Sequence, residues 1–395
     1  MIQKEQLKEI IAENFGELLK IRHYLHAHPE ISFQEKETAI YLSEILSKWG
    51  IEHQTNIGGY GIVGLIQGRN PEKKTIALRA DMDALAIDEQ NTIPYKSLNT
   101  GVMHACGHDV HMSCLLGTVK ILNDLKHTFE GTVKFIFQAA EEELPGGSIK
   151  MIEEGVLENP KVEAIFAQHV FPELEAGQVG FKSGKYMASS DEVKIFVRGK
   201  GGHAAIPAQR DDTVLAAAKI ILELEKVLNE NKPEEVPSIL AIGRFIADGT
   251  YNVIPSEVQL LGTFRTFSET WRTQAHQLIR ETLERVASSY GINVEVAIRK
   301  GYPFLINNEA LTEKARQIAI DYLGEENVKD LEIRMTVEDF ARYGQIIPAC
   351  FYRLGTGNKS KGINSNLHTP TFDVDEKSIE TGTGLMVWVA LKNLE

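Results

Sequence analysis

Apolar residues recur every three or four positions in several segments of the chain, which is the spacing of one face of an α-helix. The first such segment ends just before His28-Pro29, and proline blocks continuation of a helix. The spacing predicts helices over Leu7–His26, Glu37–Trp49, His108–Lys126, Thr213–Leu228, Trp271–Tyr290 and Leu311–Leu323, with a closing helix after Ser378.

Shorter runs rich in Val, Ile, Leu and Phe predict β-strands. They are Gly61–Gln67, Thr75–Arg79, Thr132–Gln138, Ala164–Val170, Asp191–Arg198, Ser238–Ile246, Glu257–Phe267 and Ile292–Arg299. In the first half strands alternate with helices, which predicts an α/β fold with a sheet of mostly parallel strands. From Asp191 to Arg299 the order is β-α-β-β-α-β, which is typical of a ferredoxin-like unit.

A chain of 395 residues exceeds the usual size of a single hydrophobic core, so two domains are expected. The change of pattern near Met187 and its reversal near Lys300 set the boundaries. We predict a larger α/β domain formed by residues 1–186 and 301–395. A smaller α+β domain, residues 187–300, would be inserted into it.

Charge and cysteine content exclude several classes of protein. The formal net charge of −13 argues against a nucleic-acid partner, because nucleic-acid binding requires a basic face. No long uncharged apolar run is present, so we expect neither a signal peptide nor a membrane partner. The three cysteines are few and odd in number, which fits reduced thiols better than a disulfide framework. A cytoplasmic protein is therefore expected.

The densest group of reactive side chains is His104-Ala105-Cys106-Gly107-His108-Asp109-Val110-His111. Cys thiolate and neutral imidazole together suit Zn²⁺ and its first-row neighbours. Gly107 separates Cys106 from His108 and lets the chain turn so that both side chains face one point. Either residue alone would be read as structural, but the cluster as a unit predicts a metal site.

Further acidic and imidazole side chains follow predicted strands. They are Asp81, Asp83, Glu141, Glu142 and His169, with His368 near the C-terminus. In open α/β sheets, binding sites form at the carboxyl ends of the strands. We therefore expect these side chains to gather at one edge of the sheet, together with the cysteine–histidine cluster.

The candidate metal ligands are Cys106, His108, Glu142, His169 and His368. Five protein ligands are too many for one tetrahedral zinc ion but suit two ions that share a bridging thiolate and a bridging water. Taken singly, His169 and His368 are equally well explained as core histidines. Only the set as a whole makes them ligands.

Adjacent carboxylates at Glu141 and Glu142 suit a division of labour. One would bind metal, and the other would stay free as a general base for a water molecule. A solvated acidic turn that includes Glu143 is the alternative. Asp81 and Asp83 would orient histidine ligands.

A glycine-rich turn around His203, Gly199–Ala205, lies in the smaller domain. It lacks both the Walker pattern and the spaced glycines of a dinucleotide site, so phosphate binding is not predicted. On the residues alone, His203 is equally well an exposed loop residue.

Several segments match motifs of one known family, in the family's order and over nearly the whole chain. They are His23–His26 with Pro29-Glu30, Arg79–Leu85, His104–His111, Gln138–Glu142, Gly199–Pro207, Asn252–Pro255, Gly262–Arg265, Glu338–Phe340 and Leu367–Pro370. On these motifs the chain resembles the aminoacylase and carboxypeptidase family of two-metal amidohydrolases. It is most similar to the branch of hippurate hydrolase, the plant indole-acetyl-amino-acid hydrolases and bacterial N-acetyl-diaminopimelate deacetylase.

The resemblance implies a metallopeptidase-type catalytic domain with a mixed, mostly parallel sheet. Its inserted ferredoxin-like domain would act as a lid and join two subunits into a homodimer. The resemblance also implies that the five candidate ligands bind metal while Glu141 is the general base. His203 would help hold the developing oxyanion, often from the partner subunit. Asn252 and Arg265 would contact substrate, since an Arg fork suits a carboxylate.

The implied reaction is hydrolysis of the amide bond of an N-acyl amino acid, with two divalent metal ions as cofactors. Zn²⁺ or Mn²⁺ is expected, and Co²⁺ or Ni²⁺ would also fit such ligands. A dipeptidase or metallocarboxypeptidase is the alternative enzyme, and a non-catalytic metal- or ligand-binding protein is the alternative outside enzymes. Ala86, Glu143-Leu144 and Val337 depart from the family pattern, which leaves the preferred acyl group and amino acid open.

Overall fold

The helices and strands described below belong to a computed structural model, which describes residues 2–395. In chain order the α-helices are α1 (Lys4–Ala27), α2 (Lys36–Lys48), α3 (His108–Asp124), α4 (Gly147–Glu153), α5 (Thr213–Asn231), α6 (Glu269–Tyr290), α7 (Glu309–Leu323), α8 (Ala341–Gly344) and α9 (Lys377–Leu394). Within residues 2–395, none of the helices is both long enough and apolar enough to cross a membrane.

The β-strands, also in chain order, are β1 (His53–Ile57), β2 (Gly61–Gln67), β3 (Thr75–Asp81), β4 (Thr132–Gln138), β5 (Ala164–Glu175), β6 (Val179–Phe181), β7 (Gly184–Met187), β8 (Asp191–Arg198), β9 (Gly202–His203), β10 (Ser238–Ile246), β11 (Val253–Ile254), β12 (Glu257–Thr266), β13 (Asn293–Lys300), β14 (Leu305–Asn307), β15 (Val328–Asp330) and β16 (Ala349–Gly357). The chain divides into two units. The first comprises the described residues up to Tyr186 together with Ile306–Ile333 and Glu338–Glu395, and the second comprises Met187–Leu305 and Arg334–Val337.

An eight-stranded mixed sheet forms the centre of the first unit, in the order β1-β2-β4-β3-β5-β16-β6-β15. The four middle strands, β4, β3, β5 and β16, are parallel to one another, and β2 pairs with β4 antiparallel. Every residue of β3, β4 and β16 is buried. Such burial is expected of parallel strands that are covered on both faces. The predicted α/β fold with a mixed, mostly parallel sheet is confirmed.

Helix α3 is buried almost all round, because it packs against α1, α9 and the sheet. Leu115, Leu116 and Val119 of α3 and Leu385 and Val389 of α9 have no exposed surface. The N-terminus of α3 carries the cysteine–histidine cluster. This part of the predicted metal site is therefore attached to one of the most deeply packed elements of the unit.

The second unit contains the predicted order, as β8-α5-β10-β12-α6-β13. Its antiparallel sheet runs β10-β12-β8-β13, the strand order of a ferredoxin-like fold. Along β8 the buried Val193, Ile195 and Val197 alternate with exposed or half-buried side chains. This two-residue period buries one face of the sheet.

Several elements of the first unit were not predicted from the sequence, among them the strands β1, β6, β15 and β16 and the helices α4 and α8. Helix α4 follows the Pro145–Gly147 turn, and β16 contains a charged residue, Arg353, and two glycines that interrupt its apolar pattern. In the structure Arg353 is buried and its Nε donates to the hydroxyl of Tyr186, at 2.8 Å. A buried partner therefore makes this charged strand compatible with the core. Strand β5 also continues beyond the predicted Val170, to Glu175.

Candidate metal centre

The candidate residues of the first unit come from five places in its fold. Asp81 is the last residue of β3, and Glu141 and Glu142 follow β4. His169 lies within β5, Cys106 and His108 lie at the start of α3, and His368 lies in the connection between β16 and α9. The structure brings all of them together at one edge of the sheet.

Gly107 makes the turn between the thiol and the imidazole. Its φ of 76° is left-handed, and a Cβ on it would lie 2.5 Å from Cγ2 of Val170. Only glycine combines that conformation with so close a neighbour. The turn directs Cys106 and His108 towards the same group of ligand atoms.

The first group of possible metal ligands consists of Cys106, His108 and His169, all of them buried. Cys106 Sγ lies 3.4 Å from Nε2 of His169. The Nδ1 atom of His169 lies 2.8 Å from the carbonyl of Val170, and Nδ1 of His108 lies 2.7 Å from the carbonyl of Asp83. Each Nδ1 must carry the proton, since carbonyls only accept. Both Nε2 atoms are therefore left as lone-pair donors for a cation.

The second group consists of Cys106, Glu142 and His368. Nε2 of His368 lies 3.3 Å from Cys106 Sγ and 3.2 Å from Oε1 of Glu142. His368 has a left-handed φ of 60°, and its backbone N–H donates to the carbonyl of Ala105 at 2.9 Å. That bond ties the loop of His368 to the residue before the cysteine. The His368 side chain is 52% exposed, so solvent reaches this group.

Two divalent ions fit the donor atoms of the two groups. Nε2 of His108 is buried and has no hydrogen-bond partner, and Oε1 of Glu142 is buried with Nε2 of His368 beside it. With metal–ligand bonds of about 2.0–2.3 Å and tetrahedral angles, neighbouring ligand atoms lie roughly 3.4–3.6 Å apart. The measured separations of 3.2–3.4 Å are close to this value. Since Cys106 belongs to both groups, its sulfur lies where it could bridge two ions.

The electrostatics of the site also favour cations. Burial and the carboxylates of Glu142 and Glu141 raise the pKa of the Cys106 thiol well above its usual value. Burial alone would lower the pKa of His108, but Asp81 and other acids raise it to about 10. The protein groups thus leave an excess of negative charge that a proton on His108 only partly offsets. Divalent ions would neutralise it and release the protons from their ligands.

Glu141 lies beside the ligand atoms but in a drier setting than Glu142. It is buried, and its Oε1 accepts the backbone N–H of Asp339 at 3.2 Å. Burial, Glu338 and Glu142 raise its pKa well above the usual value. A carboxyl group that holds a proton this readily can act as a general base and then as a general acid.

The two aspartates predicted to orient histidine ligands have different partners. The backbone carbonyl of Asp83 lies beside Nδ1 of His108, and Oδ2 of Asp83 accepts the backbone N–H of Glu142 at 2.9 Å. Asp81 instead lies 2.5 Å from Nδ1 of His111, a histidine to which sequence reasoning gave no role. The backbone N–H of Val170 donates to Nε2 of His111 at 2.8 Å. His111 therefore connects Asp81 with the residue that follows His169.

Arg79 is a second residue to which sequence reasoning gave no role. It is fully buried on β3, and its guanidinium lies 2.6 Å from Asp81, 2.9 Å from Asp339 and 3.2 Å from Glu338. Its Nε also donates to the side chain of Gln138. The sequence did contain a signal for this role, since Arg79 is a charged residue within the apolar run of β3. A buried cation requires buried anions, so its position indicates carboxylates nearby. Arg79 therefore compensates the charge of carboxylates that are buried beside the candidate site residues.

The remaining predicted residues lie in the second unit, where His203 and Asn252 are neighbours. His203 is exposed and lies opposite Val253 in the β9–β11 pair, and the N–H of Ala204 donates to the carbonyl of Asn252 at 2.8 Å. Arg265 lies on β12 and donates to the carbonyl of Met335 at 2.6 Å, while its Nε is buried without a hydrogen-bond partner.

Comparisons with known proteins match the chain to one family over most of its length. Residues 77–392 match the model of the family described as peptidase family M20/M25/M40. The chain is 37% identical to the N-acetylcysteine deacetylase of Bacillus subtilis strain 168, over 96% of this chain and 97% of that protein. It is 37% identical to the N-acyl-L-amino acid amidohydrolase of Geobacillus stearothermophilus, over 77% and 81% of the two chains. A crystal structure from Bacillus subtilis, described as a dinuclear metal-binding peptidase of the M20 family, is 34% identical and superposes with a TM-score of 0.82 over 97% of this chain and 99% of that one.

Proposed function

The chain belongs to peptidase family M20/M25/M40, and from that premise we propose that it hydrolyses N-acyl amino acids with the help of two divalent metal ions. The products are a carboxylic acid and a free amino acid. The observation that carries this proposal is the pair of ligand groups that share Cys106, with the buried Glu141 beside them. Relatives named for hydrolysis of N-acyl amino acids support the substrate class.

In this proposal Cys106, His108 and His169 hold one ion, and Cys106, Glu142 and His368 hold the other. When bound, such ions polarise the amide carbonyl and lower the pKa of a water molecule. The thiolate favours Zn²⁺, while Mn²⁺, Co²⁺ and Ni²⁺ also suit this mixture of ligands.

Glu141 acts as general base and then as general acid. It takes a proton from the attacking water while the new carbon–oxygen bond forms. It then gives that proton to the amide nitrogen as the carbon–nitrogen bond breaks. The raised pKa of Glu141, caused by burial and by its acidic neighbours, suits both steps.

The second unit supplies the remaining proposed roles. His203 donates a hydrogen bond to the oxygen that becomes negative in the tetrahedral intermediate. Asn252 and Arg265 bind the substrate carboxylate, and the unpartnered Nε of Arg265 supports that assignment.

We also propose that the protein is a cytoplasmic homodimer joined through its second unit. The edge strand β10 exposes Ile239 and Phe245, which supports an interface there. Sedimentation velocity tests the dimer, and a monomer at micromolar concentration would contradict it. Cell fractionation tests the location, and recovery in a membrane or secreted fraction would contradict that part.

The deciding experiment compares Glu141→Gln with Glu143→Gln, a substitution of the exposed neighbour. Loss of the general base should reduce kcat by about 10²–10⁴-fold. Because Glu141 is not among the proposed ligands, metal content should stay normal. The control variant should retain both activity and metal. Full activity in Glu141→Gln would overturn the assigned role.

The reaction class is tested by stripping the metal and adding Zn²⁺, Mn²⁺ or Co²⁺ back separately. Release of free amino acid from hippurate and N-acetyl amino acids should return with the metal. Cleavage of dipeptides alone would identify a peptidase instead. No turnover of either substrate class with any ion would favour a binding protein.

A further inference from the structure

Glu35 is a buried carboxylate at the start of α2 that the mechanism does not use. It is the N-cap residue of α2, yet its side chain makes no capping hydrogen bond to that helix. Glu30 performs the capping instead, because its carboxylate accepts the backbone N–H groups of Glu37 and Thr38 at 3.1 and 2.7 Å. The carboxyl group of Glu35 is therefore free to reach another part of the molecule.

That other part is the turn that carries the general base. Oε1 of Glu35 accepts the backbone N–H of Ala140, the residue before Glu141, at 2.7 Å. Ala140 has a left-handed φ of 53°, which costs a residue with a Cβ about 1–2 kcal/mol. The carbonyl of Ala140 is held as well, by the N–H of Gly147 at 2.7 Å. A conformation of this kind persists only where its surroundings impose it.

Asp83 holds the other side of the same turn. Its Oδ2 accepts the backbone N–H of Glu142 at 2.9 Å and the hydroxyl of Ser32 at 2.6 Å. Two buried carboxylates therefore bind the N–H groups on either side of Glu141. The segment between α1 and α2 takes part directly through Glu35 and indirectly through Ser32, which donates to Asp83.

We propose that Glu35 is a positioning residue for Glu141: its carboxyl group holds Ala140 in the left-handed conformation that directs Glu141 towards the ligand groups. This inference rests on the proposed role of Glu141 as general base. Burial and the neighbouring Asp83 raise the pKa of Glu35 to about 7. The hydrogen bond does not depend on that charge, because a carboxyl oxygen accepts from Ala140 in either protonation state.

The test compares Glu35→Leu, which removes the acceptor, with Glu35→Gln, which keeps an acceptor oxygen at the same reach. Glu30→Leu is the matched control, since Glu30 lies in the same segment but contacts only α2 through its side chain. We expect Glu35→Leu to lower kcat on N-acetyl amino acids at least tenfold, with KM changed less than threefold and metal content unchanged. Glu35→Gln and Glu30→Leu should retain kcat within threefold.

Rescue separates positioning from general support of the fold. Glycine adopts positive φ without the Cβ penalty, so Ala140→Gly should restore part of the kcat that Glu35→Leu loses. A merely structural role of Glu35 predicts no such rescue. Equal losses of kcat in Glu35→Leu and Glu30→Leu, or no rescue by Ala140→Gly, would overturn the inference.

Amide hydrogen exchange provides a readout that needs no turnover. In Glu35→Leu, but not in Glu35→Gln, the amide of Ala140 should exchange at least tenfold faster than in the wild type. Unchanged protection in a folded Glu35→Leu protein would overturn the inference about Glu35 alone. A wild-type protein that hydrolyses no N-acyl amino acid, while Ala140 responds as expected, would overturn the proposed function alone. If Glu35→Leu does not fold, Glu35→Asp, which withdraws the acceptor by one methylene, takes its place in both measurements.

Discussion

Replacing Arg79 with methionine should strongly destabilise the first unit. The substitution keeps most of the side-chain volume but removes the guanidinium from a fully buried position. Asp81, Asp339 and Glu338 then lose a cation at 2.6, 2.9 and 3.2 Å. All three carboxylates are buried, so water cannot replace the lost charge.

The expected loss follows from the cost of an uncompensated buried charge. Removing one partner of a buried ion pair costs about 3–5 kcal/mol. A typical domain has a free energy of unfolding of only about 5–15 kcal/mol, so the loss takes a large share of it. The carboxylates can reduce the cost by taking up protons, which makes the variant relatively more stable at low pH.

Arg316→Met provides the matched control in the same unit. Arg316 pairs with Asp330 at 3.1 Å, but the Asp330 side chain is 81% exposed. Exposed pairs contribute only about 0–1 kcal/mol. The assay is urea unfolding of metal-stripped protein followed by tryptophan fluorescence, since Trp49 and Trp388 lie in this unit. If Arg79→Met lost no more free energy of unfolding than Arg316→Met, the argument about the buried carboxylates would be wrong.

Two further predictions concern the cysteine turn and the second unit. Gly107 and Gly101 share a left-handed φ, of 76° and 78°, so replacing either with alanine should cost about 1–2 kcal/mol of unfolding free energy through the backbone, and Gly107→Ala should lose more because its Cβ would lie 2.5 Å from Val170. Only Gly107→Ala should also lose bound metal, because its Cβ would meet Val170 whereas Gly101 faces open space; equal metal content by mass spectrometry would contradict this. Burial raises the pKa of Asp191, but His276 and its other partners lower it to about 2. The ionised Asp191 side chain therefore adds about 2 kcal/mol to the free energy of unfolding above pH 4, and this contribution is lost as the pH falls towards 2. Unfolding curves of Asp191→Asn should lack this acid sensitivity.

The order of most of the long helices and strands could be predicted from the sequence, because periodicity is a local property. Buried strands such as β4 appear as short runs rich in apolar residues, and β8 and α5 show periods of two and of three to four residues. The interrupted strand β16 was missed, since the burial of Arg353 depends on Tyr186, which is distant in the chain. Local patterns do not report such partners.

The types of residue at the site were also readable from the sequence. A thiol and imidazoles at close spacing indicate a metal site, and paired carboxylates after a buried strand indicate acid–base chemistry. Glycine between Cys106 and His108 indicated a turn, and the structure has one with φ of 76°. These inferences succeed because the residue type alone fixes which functional group a side chain carries, whereas its pKa and its neighbours depend on the fold.

Only the tertiary structure decided which atoms meet. It assigns Cys106 to both ligand groups, pairs Asp81 with His111, makes Arg79 the shared partner of three carboxylates, and brings Glu35 to Ala140. Arg79 and Asp339 are 260 residues apart, and Glu35 and Ala140 are 105 apart. Contacts at such separations form because the sheet and its helices bury these groups together. A buried polar group must then find a partner wherever the packing supplies one.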